Sequence, residues 1–512
     1  MMFLLQYYLA LAALLSLPLA DAFIAPSLKS VHSSKFFAST LHTQEDTGIT
    51  PPVAPNVGLI SAFSLSELPD APAEDDLSVK PGQVENDHFA CHPSVANWET
   101  FESEGSDSNF QRLGKIVTSN ALQTRQSRAY WLSHVLRTSY FTVNAVAGLI
   151  GYDLHKRFIT NRNAPADASA LSNGGGRFGD LAKSDIASSL LLETSMCYEQ
   201  DWDCVKSGLI RFPWDAFIRS DDNQIKLQAD HKQMNPIFAL SQTARLVRES
   251  IGINSRQSKY KGKAAGIWFS APTDKTSSIS YPSYYLNDFH YQTDGWMSSE
   301  SAERYEVSTE TLFLGRQDVM QRQTLIPLKK HFGTKDPSTI LEVACGTGRF
   351  STFTRDNFRS ASMTLVDLSP FYLEKARDND AYWLEYQKLD NNSPANLVQA
   401  NAEDLPFDDE TFDAVTCVYL FHELPKEARE RAAGEMARVV KPGGMVVLTD
   451  SMQLGDRPPL DSSMAGFSNL NEPHYKNYIS TQLSPLFEEH GLVRHEKYLA
   501  STTKTLSFIK KL

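Results

Sequence analysis

Short apolar runs alternate with amphipathic segments through the last third of the chain. The runs occupy residues 339–343, 363–366, 412–418 and 445–450. Between the last two runs, residues 427–440 place Ala432, Met436 and Val439 on one face of a predicted helix. Strands covered by helices on both faces read as continuous apolar runs, so this alternation is typical of a doubly wound, mostly parallel α/β sheet. We predict that fold for residues 337–512.

The end of the chain carries a different pattern. Residues 492–499 and 503–510 read as two strands separated by a few small polar residues, which predicts an antiparallel hairpin. The complete prediction is therefore a Rossmann-like sheet, mostly parallel, that ends in a C-terminal antiparallel hairpin.

The region before the sheet is predicted to be mainly helical. Helical periodicity covers residues 128–158, 181–209, 236–251 and 301–332. Residues 255–280 read as a loop, and the glycine-rich segment 173–179 lacks the Lys-Ser/Thr ending of a phosphate-binding loop. We expect a mainly α N-terminal domain at 89–280, followed by connecting segments within 281–336.

The segment 140–152 is nearly uncharged, and two interpretations of it stay open. One is a buried helix, and the other is an element for peripheral membrane association. We favour the buried helix because the segment is shorter than the roughly 20 residues that a spanning helix needs.

The first residues have the composition of a targeting signal. An apolar run at 3–20 leads into Ala20-Asp21-Ala22, whose small outer residues fit signal peptidase, so we predict a signal peptide over residues 1–22. A membrane anchor is the alternative, although the run is short for a spanning helix.

A second targeting segment and a linker follow. Residues 23–45 are serine-rich and contain no acid before Glu45, which is typical of a plastid transit segment. The two segments together resemble the bipartite leaders of algae with secondary plastids. The resemblance implies a plastid location, with plain secretion as the alternative. Residues 46–88 are acidic and proline-rich, which predicts a disordered linker.

Charge and cysteine content narrow the class of partner. The formal net charge of -12 argues against a nucleic-acid groove, which needs clustered cations, and favours a small-molecule substrate. The five cysteines have no close Cys or His neighbours at the spacing that zinc sites use, so no metal site is predicted. We expect free thiols, although Cys197 and Cys204 could pair.

Aromatic residues crowd into the segment that precedes the predicted sheet domain. They are Tyr281, Tyr284, Tyr285, Phe289, His290, Tyr291 and Trp296. Such a density of rings must cover apolar surface, either between two structural units or as a lid over a binding site, and we weigh both equally. On the second interpretation, Tyr285, Tyr291 and Trp296 are candidate substrate contacts.

The turn after the first predicted strand carries the candidate ligand-binding chemistry. Gly346 and Gly348 lie in this turn, where glycine lets a nucleotide-like ligand approach the backbone closely. Asp367 ends the second strand about 20 residues beyond the glycines, at the position where a carboxylate accepts hydrogen bonds from ribose hydroxyl groups. The two features together predict a site for a nucleoside-containing cofactor.

The segment 399–407 strengthens this prediction by resemblance. Its Asn401-Ala402-Glu403 triplet, followed by Leu-Pro-Phe, resembles the ubiquinone and menaquinone biosynthesis methyltransferases, which are class I methyltransferases that use S-adenosylmethionine. The C-terminal hairpin also resembles that class. The resemblance covers about a third of the chain and departs at Ala344, where many relatives carry a glycine.

The resemblance implies S-adenosylmethionine as the cofactor, with Asn401 and Ala402 at the edge of its adenine ring. The complete set of cofactor-binding candidates is Glu342, Ala344, Cys345, Gly346, Gly348, Asp367, Leu368, Asn401, Ala402, Glu403 and Tyr419.

Candidate catalytic residues follow the strand at 412–418, at the edge of the sheet where substrates of such folds bind. His422 could act as a general base oriented by Glu423, or the pair could cap the following helix. Further candidates for the pocket wall, or for ordinary loop packing, are Asp450, His474 and Tyr475.

Three functions are weighed on these grounds. The first is a plastid methyltransferase acting on a small apolar or aromatic metabolite, such as a prenylquinone or pigment precursor. The second is a methyltransferase-like assembly or binding protein that keeps the fold without turnover; the retained Gly346, Gly348 and Asp367 favour cofactor binding at least. The third, a nicotinamide dehydrogenase, is disfavoured by the missing third glycine of the dinucleotide fingerprint and by the C-terminal hairpin.

Overall fold

The computed structural model of the chain describes residues 89–101, 108–121, 123–155, 184–221, 224–260, 280–387, 393–464 and 471–512. The predicted signal peptide, transit-like segment and linker lie outside the described residues. The glycine-rich segment 173–179 also lies outside them.

The strands are β1 (Ala90–Cys91), β2 (Ile218–Asp221), β3 (Gln224–Leu227), β4 (Thr339–Val343), β5 (Ser362–Asp367), β6 (Asn396–Gln399), β7 (Phe412–Val418), β8 (Val440–Ser451), β9 (Leu492–Ala500) and β10 (Thr503–Lys510). The longer helices are α1 (Pro93–Glu99), α2 (Asn109–Ile116), α3 (Arg125–His155), α4 (Ser184–Lys206), α5 (Pro236–Tyr260), α6 (Ser299–Leu312), α7 (Gln317–Arg322), α8 (Leu325–Phe332), α9 (Arg349–Asn357), α10 (Pro370–Gln387) and α11 (Lys426–Val439). Short helices follow at α12 (Asp461–Met464), α13 (Tyr475–Ile479) and α14 (Ser484–Glu488).

The main sheet has eight strands in the order β1-β9-β10-β8-β7-β4-β5-β6. The five strands β4 to β8 run parallel to their neighbours in this group, whereas β10 is antiparallel to both β8 and β9. The predicted fold class, a mostly parallel sheet with a C-terminal antiparallel hairpin, is confirmed. The predicted strands at 339–343 and 412–418 coincide with β4 and β7 residue for residue.

The strand order reverses at β4, and this reversal fixes where a ligand can bind. From β4 the chain builds β5 and β6 on one side, and it then crosses to place β7 and β8 on the other. Val343 at the end of β4 pairs with Val366 on one neighbour and Cys417 on the other. Loops that leave neighbouring strands in opposite directions open a crevice at their carboxyl ends.

The N-terminal segment extends this sheet, which the sequence analysis did not predict. β1 is only two residues long and pairs parallel to the edge strand β9. A strand this short has no readable alternation of apolar and polar residues, so the pairing is invisible in the sequence. The region predicted to be mainly helical also contains an antiparallel hairpin, formed by β2 and β3.

The helical region shares one hydrophobic core with the sheet. Trp98, Trp202 and Trp214 belong to the same buried cluster as Phe350 and Phe353 of α9. The indole N–H of Trp214 donates to the hydroxyl of Thr352 on the same helix, at 3.0 Å. The described part of residues 89–280 therefore packs against the sheet through a shared core.

The nearly uncharged segment 140–152 lies within α3, which runs unbroken from Arg125 to His155. Its Phe141 and Asn144 are buried, whereas Val143 is exposed. Of the helices in the described ranges, none is both long and apolar enough to cross a bilayer.

Candidate functional site

A cleft opens at the carboxyl ends of β4, β5 and β7, with a volume of about 1010 Å³ when the space open to solvent is included. Most of the predicted cofactor-binding residues line it. They are Glu342, Ala344, Cys345, Gly346, Asp367, Leu368, Asn401, Ala402 and Tyr419. The structure therefore brings together residues that are spread over nearly 80 positions of the sequence. Gly348 and Glu403 do not line the cleft.

The turn after β4 is tight and carries few side-chain atoms, as we predicted from its glycines. Gly346 has a φ of +54°, and a side chain built there would meet only the ring of Tyr372, at 4.0 Å. Ala344 also has a positive φ, of +55°, so the alanine at this position occupies a backbone conformation that favours glycine. Its side chain is small enough to leave the cleft open.

Gly348 serves a different purpose from the one predicted. A Cβ atom on Gly348 would lie 2.9 Å from the Cβ atom of Ala376 on α10. This glycine therefore allows α9 and α10 to pack closely rather than allowing a ligand to approach.

Asp367 ends β5 and faces the bare turn. Its Oδ2 atom accepts a hydrogen bond from the Gly346 N–H at 2.8 Å, and its Oδ1 atom accepts one from the Ser369 N–H at 2.8 Å. Burial raises the pKa of the Asp367 carboxyl to about 6, although these backbone N–H groups act in the opposite direction. Each oxygen keeps a second lone pair, so the carboxylate can also accept from a ligand.

Glu342 places a carboxylate at the floor of the cleft. The residue is only 2% exposed, and its Oε2 atom has no hydrogen-bond partner among the described residues. Burial and the nearby Asp367 carboxylate raise the pKa of Glu342 well above its usual value. A buried acceptor without a partner is costly, so this atom is suited to a ligand that brings a donor or a positive charge.

Glu403 anchors the aromatic segment instead of lining the cleft. Its carboxylate accepts hydrogen bonds from the Tyr284 hydroxyl, from Arg431 and from the side-chain amide of Asn401. The Glu403 N–H donates to Asn401 Oδ1 at 3.1 Å. The loop that carries Asn401 and Ala402 is thereby held against Tyr284.

The aromatic segment forms one wall of the cleft. Tyr284, Tyr285, Phe289 and Trp296 line it, whereas Tyr281 and Tyr291 do not. Tyr291 lies behind the wall, where its carbonyl accepts a hydrogen bond from Arg256 at 2.7 Å. The segment thus packs against the rest of the protein and faces the cleft at the same time, so the two interpretations of its aromatic residues are not exclusive.

Two tyrosines that the sequence analysis missed complete this wall. Tyr305 of α6 and Tyr372 of α10 line the cleft, and the ring of Trp296 lies 5.8 Å from the first and 5.6 Å from the second, edge to face. Both tyrosines lie in helices, where an aromatic residue is ordinarily part of the core. Only the tertiary packing directs them towards the site.

The remaining substrate candidates lie behind the cleft. Asp450 is buried at the end of β8, and Tyr475 is buried on α13 with its ring 6.3 Å from that of His422. His474 packs edge to face against Tyr284 at 6.4 Å. None of these three side chains lines the cleft, so any effect they have on a substrate passes through their neighbours.

His422 is oriented by a residue other than the predicted one. The sequence analysis paired it with Glu423, but its Nδ1 atom donates to Asp450 Oδ1 at 2.5 Å, while Glu423 Oε1 lies 3.6 Å from Nε2. Although burial alone lowers the pKa of His422, the charge of Asp450 and the hydrogen bond to it outweigh burial and raise the pKa to about 9. A protonated imidazole cannot accept a proton, so this arrangement does not favour a general base at neutral pH.

A second histidine joins this group from the aromatic segment. His290 Nε2 lies 3.0 Å from Glu423 Oε1, and its Nδ1 atom lies 2.9 Å from Glu472 Oε1. The sequence analysis named neither His290 nor Glu472 as a site residue. Each is remote in sequence from its partners, so no local pattern indicates the contact.

Comparison with known proteins places these observations in a family. Residues 340–444 match the methyltransferase domain family. A ubiquinone/menaquinone biosynthesis C-methyltransferase of Haemophilus ducreyi is 31% identical over 150 residues, which are 29% of this chain and 53% of that protein. The protein of the same name from Agrobacterium fabrum is 30% identical over 187 residues, which are 36% of this chain and 67% of that protein.

A relative named for another activity is also similar to this chain. The fatty-acid O-methyltransferase of Mycolicibacterium smegmatis is 32% identical over 126 residues, which are 25% of this chain and 42% of that protein. The chain thus spans about half the length of several of the curated relatives it matches.

Proposed function

This chain belongs to the class I S-adenosylmethionine-dependent methyltransferases, and we propose that it transfers the methyl group of that cofactor to a small apolar or aromatic metabolite. The observation that carries the proposal is the meeting of three groups in one cleft. These are the bare Gly346 turn, the Asp367 carboxylate and the partnerless oxygen of Glu342.

The cleft fits the cofactor part by part. Asp367 has free lone pairs for the ribose hydroxyl groups, and Glu342 offers its buried oxygen to a cationic group, of which the cofactor has two, the ammonium and the sulfonium. Asn401 and Ala402 border the cleft on the side expected for the adenine ring. When bound, the cofactor supplies an electrophilic methyl group, and the residues above hold and orient it.

The acceptor side of the cleft is aromatic, which supports an apolar partner. The rings of Phe289, Trp296, Tyr305 and Tyr372 pack against one another in one wall of the cleft, and we place the acceptor against this wall. The sulfonium loses its positive charge as its methyl group passes to the acceptor, so an apolar wall favours the reaction, while close confinement supplies proximity and alignment. The protein's main contribution is therefore positioning.

A plastid prenylquinone or pigment precursor is the acceptor class that we propose. Two relatives are named for ubiquinone and menaquinone biosynthesis, and the leader has the composition of a plastid signal. The fatty-acid O-methyltransferase shows that similar domains also occur in a protein named for a different acceptor.

Methyl transfer is tested directly with the full chain and S-adenosylmethionine carrying a labelled methyl group. The protein is incubated with a plastid lipid and pigment extract, and labelled products are identified by mass. We expect a product heavier than its precursor by one methylene unit, absent with Asp367→Ala. Cofactor binding without any labelled product would favour the alternative, a binding or assembly protein that keeps the fold without turnover.

A further inference from the structure

Two histidines and a glutamate converge beside the cleft from two distant parts of the chain. His290 comes from the aromatic segment, and His422 and Glu423 come from the turn after β7. One ligand atom of each lies within 4.8 Å of the others. Glu423 Oε1 lies 3.0 Å from His290 Nε2 and 3.6 Å from His422 Nε2.

The two separations from Glu423, 3.0 and 3.6 Å, are close to those of donors that share a metal ion. A zinc ion at about 2.1 Å from each of its donors holds those donors roughly 3.0 to 3.5 Å apart. Two imidazoles and one carboxylate are a ligand set that divalent transition metals use when they keep open positions for a substrate.

The outer partners of the two histidines point to the same conclusion. Both rings direct their Nδ1 atoms to buried carboxylates, His422 to Asp450 at 2.5 Å and His290 to Glu472 at 2.9 Å. Both Nε2 atoms are thereby left facing Glu423, and a metal ion that binds them displaces their protons. A metal-bound histidine almost always donates its other ring N–H to a carboxylate or carbonyl, which fixes the tautomer and the orientation of the ring.

Glu423 supplies an independent observation. The residue is 8% exposed, and its Oε2 atom has no hydrogen-bond partner in the part of the chain that the structure describes. Glu472 likewise keeps one such buried oxygen without a described partner. Buried carboxylate oxygens without a partner, beside two imidazoles, form a site that suits a cation.

The backbone conformation of His290 is consistent with a side chain that is held in a fixed position. His290 has a φ of +54°, which lies in the left-handed region that residues other than glycine rarely adopt. The conformation directs the imidazole from the aromatic segment towards Glu423 and Glu472. Backbone strain of this kind is found preferentially where a functional group must be held in place.

We propose that His290, His422 and Glu423 bind one divalent transition-metal ion, with Zn²⁺ as the reference ion, and that Asp450 and Glu472 hold the two imidazoles as outer partners. The ion joins the aromatic segment to the carboxyl end of the sheet. Glu423 also lines the cleft, so the site borders the space proposed for the methyl acceptor. One part of this proposal rests on the proposed function: the open coordination position of the ion takes an oxygen atom of the methyl acceptor.

Metal binding is measured in the absence of cofactor and acceptor, so its outcome is separate from that of the proposed function. The full chain is dialysed against a chelator, and Zn²⁺ is titrated by calorimetry while Co²⁺ is followed by its visible spectrum. We expect one ion per chain and a Co²⁺ spectrum typical of nitrogen and oxygen ligands. Failure to bind any ion above a buffer control would overturn the proposal.

Variants locate the ion. His290→Ala, His422→Ala and Glu423→Gln should each weaken Zn²⁺ binding by roughly 100-fold, and the outer variant Glu472→Gln by about 10- to 100-fold. The matched control is His474→Ala, which removes a neighbouring histidine outside the cluster and should leave Zn²⁺ affinity unchanged. Equal affinities in His290→Ala and His474→Ala would contradict the site.

His290→Ala is the decisive variant because it is expected to fold. The His290 side chain is 36% exposed, and circular dichroism checks that the helices and sheet are intact. Its affinity for S-adenosylmethionine should stay within twofold of the wild type, because His290 does not line the cleft. Loss of Zn²⁺ binding with cofactor binding retained would separate the metal site from the cofactor site.

Discussion

The N–H of Gly346 donates a hydrogen bond to the Asp367 carboxylate at 2.8 Å. This bond joins the turn after β4 to the end of β5, and both groups face the same cleft. This hydrogen bond holds the Asp367 carboxylate against the backbone of the turn. It therefore fixes the distance between the group that we propose binds the sugar and the main chain at Gly346. The methyltransferase proposal depends on that pairing.

Replacing either glycine of the turn with alanine should have a different effect on stability and on cofactor binding. Gly348→Ala places a methyl group 2.9 Å from Ala376 Cβ at a φ of +69°, which should cost about 2–4 kcal/mol of unfolding free energy. Gly346→Ala meets only the ring of Tyr372, at 4.0 Å, so it should cost only about 1–2 kcal/mol while blocking close approach of the cofactor. Urea unfolding and calorimetry with cofactor measure the two effects. Similar losses of stability in both variants would contradict the assignment.

Cofactor affinity should depend on pH through Asp367. Burial raises the pKa of this carboxyl to about 6, and ribose hydroxyl groups donate to its ionised form. Protonation therefore opposes binding, and affinity should fall about tenfold as the pH falls from 7 to 5. Calorimetry over this range measures the change. Asp367→Asn is the control and should bind weakly with a flatter profile; parallel profiles would show that another group controls the pH dependence.

A buried charge network should stabilise the contact between the helical region and the cofactor loop. Arg137 of α3 donates to Glu310 at 2.7 Å and to Asp318 at 2.5 Å, and Asp318 also accepts from Arg349, which follows the glycine turn. Burial raises the pKa of Glu310 to about 8, although Arg137 acts against it. Removing Arg137 takes the paired cation from Glu310 and leaves Asp318 with Arg349 alone.

Arg137→Met should therefore lower the free energy of unfolding by about 3–5 kcal/mol, measured in urea. The matched control is Arg248→Met, because the Arg248 side chain is 79% exposed and its ion pair with Glu300 is solvated. That control should change stability by less than about 0.5 kcal/mol. If the two variants unfolded at the same urea concentration, the network would have no stabilising role.

Trp296 is expected to act on the acceptor rather than on the cofactor. Its ring contacts Phe289, Tyr305 and Tyr372 in the wall where we place the acceptor. Trp296→Ala should lower kcat/KM for the acceptor by roughly 10- to 100-fold, because it removes an apolar wall and admits water. Tyr291→Phe, in the same segment but off the cleft, should leave kcat/KM unchanged. Steady-state rates of both variants distinguish a binding wall from a packing segment.

The sheet was predictable because its central strands are buried on both faces. β4 and β7 are continuous apolar runs and were placed without error, and the turn after β4 was recognised by its glycines. Asp367 followed from its position at the end of β5. These features are local in sequence, so the pattern of neighbouring residues is enough to identify them.

The contacts that were missed depend on tertiary structure. His290 meets Glu472, and His422 meets Asp450, across loops that no periodicity connects. Glu423 was predicted to orient His422 because it is adjacent in sequence, yet the turn directs its carboxylate to His290 instead. Adjacency in the sequence identified His422 and Glu423 as members of this group, but it did not identify the residues that they contact.

Calorimetric titration of the full chain with S-adenosylmethionine tests the central claim most directly. We expect one binding site per chain, a loss of affinity of roughly 100-fold or more in Asp367→Ala, and no change in Asp378→Ala, which removes an exposed acid from α10. Absence of binding to the wild-type chain, or equal affinity in the two variants, would contradict the account.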